Sequence, residues 1–149
     1  MSTVEFRQGN ALVSTDRGRL DVNLIYEFLS KRSYWAEGVP RDVVERAIEN
    51  SLCFGLFEDG RQVGFARAIT DYATFAYLAD VFVVEACRGR GLSKFLMECI
   101  VKHPKLQNLR RWMLATKDAH SLYAKFGFAP LEQPERFMCR ANPDVYKRG

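Results

Sequence analysis

The sequence predicts a mixed α/β fold, in which a central, mostly antiparallel β-sheet carries about four helices on its two faces. Three observations lead to this prediction. Several segments show the apolar runs or alternation of strands, others repeat apolar side chains at helical spacing, and a glycine-containing loop joins a strand directly to a helix. The segments follow the order β, α, α, β, β, β, α, β, α, β, β. We expect one domain over residues 1–149, a length that buries about two-thirds of the unfolded surface.

The composition narrows the class of protein. Hydrophobic residues make up 48% of the chain, and no run of 18 apolar residues is present, so we expect no membrane association. The net charge is +4, but the basic residues are spread along the chain, which argues against a nucleic-acid surface. The four cysteines form no C-x-x-C or Cys/His cluster, so we expect no metal, no disulfide framework and a reducing, cytoplasmic location.

The first half of the chain predicts two helices and a hairpin between strands. Asp21 can cap a first helix, and Pro40 suits the first turn of a second one. Asp59-Gly60 stands between two apolar runs, which is a strong hairpin signal. The strand patterns of this half span residues 4–8, 11–16, 52–58 and 62–71.

A further strand is predicted over residues 75–84 and contains a single charge. Strict alternation places Ala76, Leu78, Asp80, Phe82 and Val84 on one face of this strand. A carboxylate on an apolar strand is costly unless it is paired or functional. Asp80 is therefore a candidate for chemistry, the alternative being a hydrogen-bonded carboxylate that fixes a bulge or loop.

The second half predicts two helices and three short strands. An amphipathic helix follows the glycine loop and stops before Pro104, and Gly127 ends a later helix. Short strand patterns cover residues 112–116, 128–131 and 136–140, and residues 142–149 are typical of a solvated tail.

The loop Arg88-Gly89-Arg90-Gly91 lies between a strand and a helix. The first turn of a helix has N–H groups without partners and a partial positive charge, and glycine lets an anion approach the backbone closely. The loop therefore suits a phosphate group, although it matches neither the Walker loop nor the dinucleotide fingerprint. The alternative is an ordinary turn with surface arginines.

This stretch resembles the acetyl-CoA loop of the GNAT superfamily of N-acetyltransferases, whose pattern is R/Q-x-x-G-x-G/A. Residues 119–128 are similar to the family's A-x-x-L-Y-x-x-x-G-F segment, and the order of elements matches over nearly the whole chain. The resemblance implies a GNAT fold, acetyl-CoA as cosubstrate and no metal. The loop reads Arg88, Gly89, Arg90, Gly91, Leu92, Ser93, with serine in place of the last Gly or Ala.

The resemblance also implies roles for other residues. The backbone of Phe82 and Val83 corresponds to the strand that pairs with pantetheine, and Thr116 stands where the family carries an asparagine that contacts pantetheine. Tyr123 corresponds to the tyrosine that protonates the CoA sulfur, the alternative being a packed helix tyrosine. Asp80 corresponds to an acidic position near the amine.

The acceptor side is less defined by the sequence. Tyr34 and Trp35 in a short interhelical loop either wall a ligand site or lie on the core as a lid. Asp71 and Glu37 are weaker candidates for the base, and we count Asp71 with the substrate-binding residues. His120 is expected at the surface or in packing.

The predicted function is acetyl-CoA-dependent N-acetylation of a primary amine, on a small molecule or a protein, by direct transfer in a ternary complex. A homodimer is compatible with this prediction. The alternative is a non-catalytic acyl-CoA-binding or protein-interaction module on the same fold.

Overall fold

Six strands form one mixed sheet in a computed structural model that describes residues 2–147. The strands lie in chain order, each antiparallel to the one before it except the last, which is parallel to the fifth. The predicted fold class is confirmed. The elements are β1 Glu5–Gln8, β2 Ala11–Ser14, α1 Val22–Lys31, α2 Arg41–Glu49, β3 Leu52–Glu58, β4 Arg61–Thr70, β5 Phe75–Val83, α3 Leu92–Lys102, β6 Arg111–Met113 and α4 His120–Ala124.

Local signals in the sequence fix the starts and turns of several elements. The Asp21 side chain accepts the N–H of Leu24 and caps α1, and Pro40 precedes α2. Asp59 and Gly60 both have positive φ, which is the geometry of a two-residue hairpin turn between β3 and β4. These predictions are confirmed.

The helices cover both faces of the sheet. On one face α3 packs against apolar side chains of β2 to β5, including Leu78. On the other face α1 and α2 pack against Cys53, Phe65 and Phe82. The strands β3 to β5 are therefore held between two apolar layers.

The predicted single face of β5 is wrong, because a β-bulge interrupts the alternation. Ala66 on β4 stands opposite two residues, Asp80 and Val81. Asp80 has a φ of 55°, a left-handed conformation that aspartate tolerates better than most residues. The extra residue reverses the facing of the strand beyond the bulge, so Leu78 packs toward α3 whereas Phe82 packs toward α1 and α2.

The predicted strands at 128–131 and 136–140 are also wrong. Within the described residues this region is irregular, apart from one short 3-10 turn at Pro134–Arg136. Pro130 and Pro134 cannot donate to a sheet ladder, and Met138 is 99% exposed, so no packed face supports a strand here.

Two smaller differences affect the end of the chain. The strand predicted at 112–116 is the shorter β6, and α4 ends before a turn that leads to Gly127. The predicted solvated tail extends beyond the described residues, but Tyr146 within it is half-buried and packs against the α1 and α2 layer.

Candidate active site

A cleft opens where β5 and β6 separate. The two strands pair over only three positions, the last being Tyr77 with Met113. Beyond that point a cavity of about 680 Å³ lies between β5 and the segment after β6. In the described structure, β5 has no strand partner on this side after Tyr77, so backbone groups there can pair with a ligand. The cavity is further lined by α1, α2, the loop between them and Tyr146.

Asp80 lies on the cavity wall, where the bulge of β5 projects its carboxylate. Oδ2 accepts a hydrogen bond from Arg67 Nε at 2.6 Å, and Oδ1 accepts one from Trp35 Nε1 at 2.8 Å. Arg67 Nη1 also donates to Ser51 Oγ at 3.1 Å. Each carboxylate oxygen can accept a second hydrogen bond, so Asp80 both fixes the bulge and retains capacity to bind a donor in the cavity.

Tyr34 and Trp35 line the same cavity, with their rings edge to face at 5.0 Å. The Tyr34 hydroxyl accepts the backbone N–H of Lys117 at 2.9 Å, and the Lys117 ammonium lies 5.5 Å from the centre of the Tyr34 ring. The α1–α2 loop therefore reaches across to the loop between β6 and α4. Of the two interpretations offered by the sequence, these contacts favour a wall of the cavity.

Tyr123 on α4 is buried and also lines the cavity. Burial, reinforced by the nearby Tyr34 and Asp118, raises the pKa of the Tyr123 phenol to about 12. The hydroxyl is therefore neutral at physiological pH and can act as a proton donor. Thr116 lines the cavity close by, where its Oγ1 accepts the N–H of Ala119 at 3.1 Å.

The glycine loop follows the end of β5 and leads into α3. Gly89 and Gly91 have φ of 82° and 79°, and both face open space that a side chain would fill. No side chain caps the start of α3 in the described structure, so the first-turn N–H groups remain available to an anion. Arg90 is held in a two-point ion pair with Glu58, and Arg88 Nε donates to the carbonyl oxygen of Val83 at 2.9 Å.

Several predicted residues lie outside the cavity lining. Residues 88–93 form the loop beyond the end of β5 and are not part of the cavity wall. Phe82 is stacked on Phe28 in the α1 and α2 layer, and Val83 packs on the opposite layer. Glu37 and His120 are exposed and line no part of the cavity.

Asp71 is not brought to the cavity. Its carboxylate accepts hydrogen bonds from the backbone of Ala73, Thr74 and Phe75 and from the Thr74 hydroxyl. Bonds from Thr74 and then Ala73 hold the pKa of the Asp71 carboxyl well below its usual range. This carboxylate organises the turn between β4 and β5 and is not part of the cavity lining.

Several residues of the cavity were missed from the sequence, among them Arg67, Lys117 and Tyr146. Arg67 carried a signal, since it is the one charge within an apolar stretch of β4, as Asp80 is on β5. Lys117 and Tyr146 showed no such signal in the sequence, because both lie in loops that reach the cavity.

Within residues 2–147, no helix is both long and apolar enough to cross a membrane. The same residues contain no group of three His, Cys, Asp or Glu side chains placed to hold a metal ion.

The fold and the cleft together define an acetyltransferase domain. The model of the acetyltransferase (GNAT) family matches residues 22–128, and the chain belongs to this family. The predicted family is thus confirmed on more than half of the chain.

Two relatives support this membership, and a third protein shares the fold. A Gibberella zeae protein provisionally named as an acetyltransferase is 34% identical over 140 residues, covering 79% of this chain and 78% of the relative. A crystal structure of a Xanthomonas campestris pv. campestris protein, provisionally described as a GNAT acetyltransferase, is 55% identical. The match covers 93% of this chain and 97% of that one, with a TM-score of 0.90.

The third relative bears on the fold alone. A Mycobacterium tuberculosis protein solved in complex with CoA is 18% identical, covers 80% of this chain and 72% of its own, and has a TM-score of 0.66.

Proposed function

We propose that the protein transfers an acetyl group from acetyl-CoA directly to a primary amine within a ternary complex, as a single domain over residues 1–149. One observation carries the proposal: Asp80 and Tyr123 line the same cavity, in the cleft where β5 and β6 separate. Membership of the acetyltransferase family supports acetyl-CoA as the donor.

The residues present fit acetyl-CoA. The space in front of Gly89 and Gly91 and the uncapped start of α3 suit a pyrophosphate. The unpaired side of β5 suits the amide groups of pantetheine, with the Phe82 and Val83 backbone as candidates at its far end. Bound acetyl-CoA supplies the activated acetyl carbon, and the protein aligns it with the amine.

Asp80 binds and orients the amine in this proposal. A protonated amine has three donors, and the Asp80 carboxylate, which lines the cavity, can accept further hydrogen bonds besides those from Arg67 and Trp35. The amine must lose a proton before its nitrogen can attack, and in this proposal the Asp80 carboxylate receives it.

Tyr123 returns a proton to the sulfur. As the C–N bond forms and the C–S bond breaks, the electron pair of the C–S bond stays on sulfur, and the phenol proton neutralises it. With a pKa of about 12 the phenol keeps its proton until that moment, and solvent restores it afterwards. The balance is one acetylated amine, one free thiol and one proton released.

The test is a panel of amines incubated with acetyl-CoA, followed by thiol release and by the mass of the acetylated product. We expect transfer to at least one amine, at a rate above thiol release without amine. Acetyl-CoA that stabilises the protein against heat, with no amine in the panel acetylated, would contradict transfer and leave the non-catalytic acyl-CoA-binding module.

A further inference from the structure

We infer that the acceptor is a small monoamine whose body is apolar and uncharged. This inference rests on the proposed function and adds the substrate class of the same cavity. It depends on three properties of the cavity that contains Asp80: the charge of its wall, the apolar surface of its wall, and the link between the two loops on either side of it.

The charges inside the cavity are already matched. Asp80 and Arg67 form an ion pair at 2.6 Å, and their side chains are only 11% and 18% exposed. Lys117 and Asp118 also line the cavity, but both are exposed on the loop after β6 and have opposite signs. The Asp80 oxygens can each accept one more hydrogen bond, which serves a single ammonium. A second ammonium or a carboxylate on the acceptor would find no such partner beside a wall with no net charge, and its desolvation is costly. A monoamine avoids that cost.

The rest of the wall is mainly apolar. Tyr34 and Trp35 are 54% and 42% exposed, so their rings present aromatic surface that a ligand can cover. Ligand cavities of this kind bury an apolar body and fix it with a few polar groups, here the Asp80 carboxylate. Other apolar side chains of the wall are Leu29, Val39, Val44, Phe65, Tyr77 and Tyr146.

The link between Tyr34 and Lys117 favours a small molecule over a protein. The hydrogen bond from the Lys117 N–H to the Tyr34 hydroxyl joins two loops that are 83 residues apart in sequence, on either side of the cavity. The Lys117 ammonium over the Tyr34 ring adds a second contact to the same link. A lysine on a folded protein reaches Asp80 only by its side chain, so the surface of that protein would have to come within one side-chain length of this link. A small amine has no such requirement.

The experiment compares kcat/KM at saturating acetyl-CoA for four acceptors: 2-phenylethylamine, ethylamine, spermidine and a lysine-containing peptide. We expect 2-phenylethylamine to exceed each of the others by at least about tenfold, since even one buried methylene is worth about that much in discrimination. Tyr34→Ala should lower the ratio of 2-phenylethylamine to ethylamine and raise transfer to the peptide. Leu131→Ala, an apolar side chain of comparable exposure outside the cavity lining, should leave the ratio unchanged.

Two results would overturn the inference, and they are distinguishable. Transfer that is fastest to spermidine or to the peptide overturns the substrate class and leaves the proposed function intact. No transfer to any of the four amines, with acetyl-CoA still stabilising the protein against heat, overturns the proposed function and the inference with it.

Discussion

The β3–β4 hairpin and the β5–β6 pair differ in how far their backbone N–H and C=O groups are paired with each other. β3 and β4 pair over seven positions, from Leu52 with Ala68 to Glu58 with Arg61, so their facing groups are satisfied within the sheet. β5 and β6 pair over three positions and then part. The hydrogen bonds of the hairpin stabilise the sheet, whereas the separated part of β5 leaves backbone N–H and C=O groups that a ligand can bind. The comparison predicts that changes near the cleft alter activity and that changes in the hairpin alter stability.

The largest effect is expected for Tyr123→Phe. Only the hydroxyl is removed, so the packing of the ring near Phe128 should survive. Loss of a positioned acid typically lowers the rate by about 10²–10⁴-fold. Single-turnover rates are the right measurement, because product release could hide the effect in kcat. Tyr26→Phe, on α1 outside the cavity lining, is the matched control.

The pH dependence gives Tyr123 a second signature. Its pKa is raised from the ordinary ~10 to about 12 in the folded state, so its contribution to folding is fully present below ~10 and is lost as pH rises through about 12. The free energy of unfolding should therefore fall more steeply over this window in the wild type than in Tyr123→Phe. Parallel curves would mean that the phenol is not perturbed by burial.

Asp80→Asn should have the next largest effect. Asparagine also accepts a positive φ, so the bulge should persist. A hydrogen bond to a charged group contributes about 1.5–3 kcal/mol, which corresponds to a rise of roughly 10–10² fold in KM for the amine. The value of kcat should fall as well, because the group that receives the amine proton is lost. The affinity for acetyl-CoA should stay the same.

The double variant Arg67→Met with Asp80→Asn tests whether Asp80 binds the acceptor's ammonium or only neutralises Arg67. It removes both charges, so no stranded guanidinium remains in the cavity. If Asp80 binds the ammonium, KM for the amine stays high in the double variant. Recovery of the wild-type KM would show that the carboxylate serves only to neutralise Arg67.

Gly91→Glu should weaken acetyl-CoA binding by about tenfold or more, because it puts a negative side chain where the phosphates are expected. Gly60→Glu is a close control, since both glycines have positive φ near 80° and face open space. The two variants should lose similar stability from backbone strain, yet only Gly91→Glu should lose its thermal shift with acetyl-CoA. Equal shifts would remove the loop from the phosphate site.

Gly64→Ala should have the smallest effect on activity and a clear one on stability. An added Cβ at Gly64 would lie 2.7 Å from the Phe82 carbonyl oxygen and 2.8 Å from Leu56 Cδ2. Such overpacking costs about 1–3 kcal/mol. Denaturant unfolding measures the loss, and the thermal shift with acetyl-CoA should persist. An unchanged free energy of unfolding would show that β4 and β5 adjust more freely than their pairing suggests.

The sequence predicts best those features that lie in one continuous stretch. The fold class, the hairpin at Asp59-Gly60 and the family resemblance of residues 88–93 all rest on neighbours in the chain. The contact between Arg67 and Asp80 could not be predicted in the same way. It depends on which residues of β4 and β5 stand opposite each other, and the bulge shifts that register by one.

Two predictions gave a tertiary role to a local pattern. Asp71 as a substrate-binding residue stays a prediction, although Asp71 lies outside the cavity lining, and the strands after Gly127 are wrong. Asp71 is a carboxylate in a loop near strand ends, but three backbone N–H groups of its own turn compete for it. The short apolar runs after Gly127 look like strands, yet a strand needs a neighbour, and the ladder it would join is interrupted by prolines.

The positive φ of Asp80 also limits how this site can vary. The backbone of the bulge admits glycine, asparagine and aspartate at low cost and disfavours other residues. The proposed contact with an ammonium admits only the two acidic residues. Aspartate is the single amino acid in both sets, so natural variants that keep both the bulge and the contact have no alternative at this position. Diversity in acceptor preference would then have to arise elsewhere in the wall, most directly at Tyr34 and Trp35.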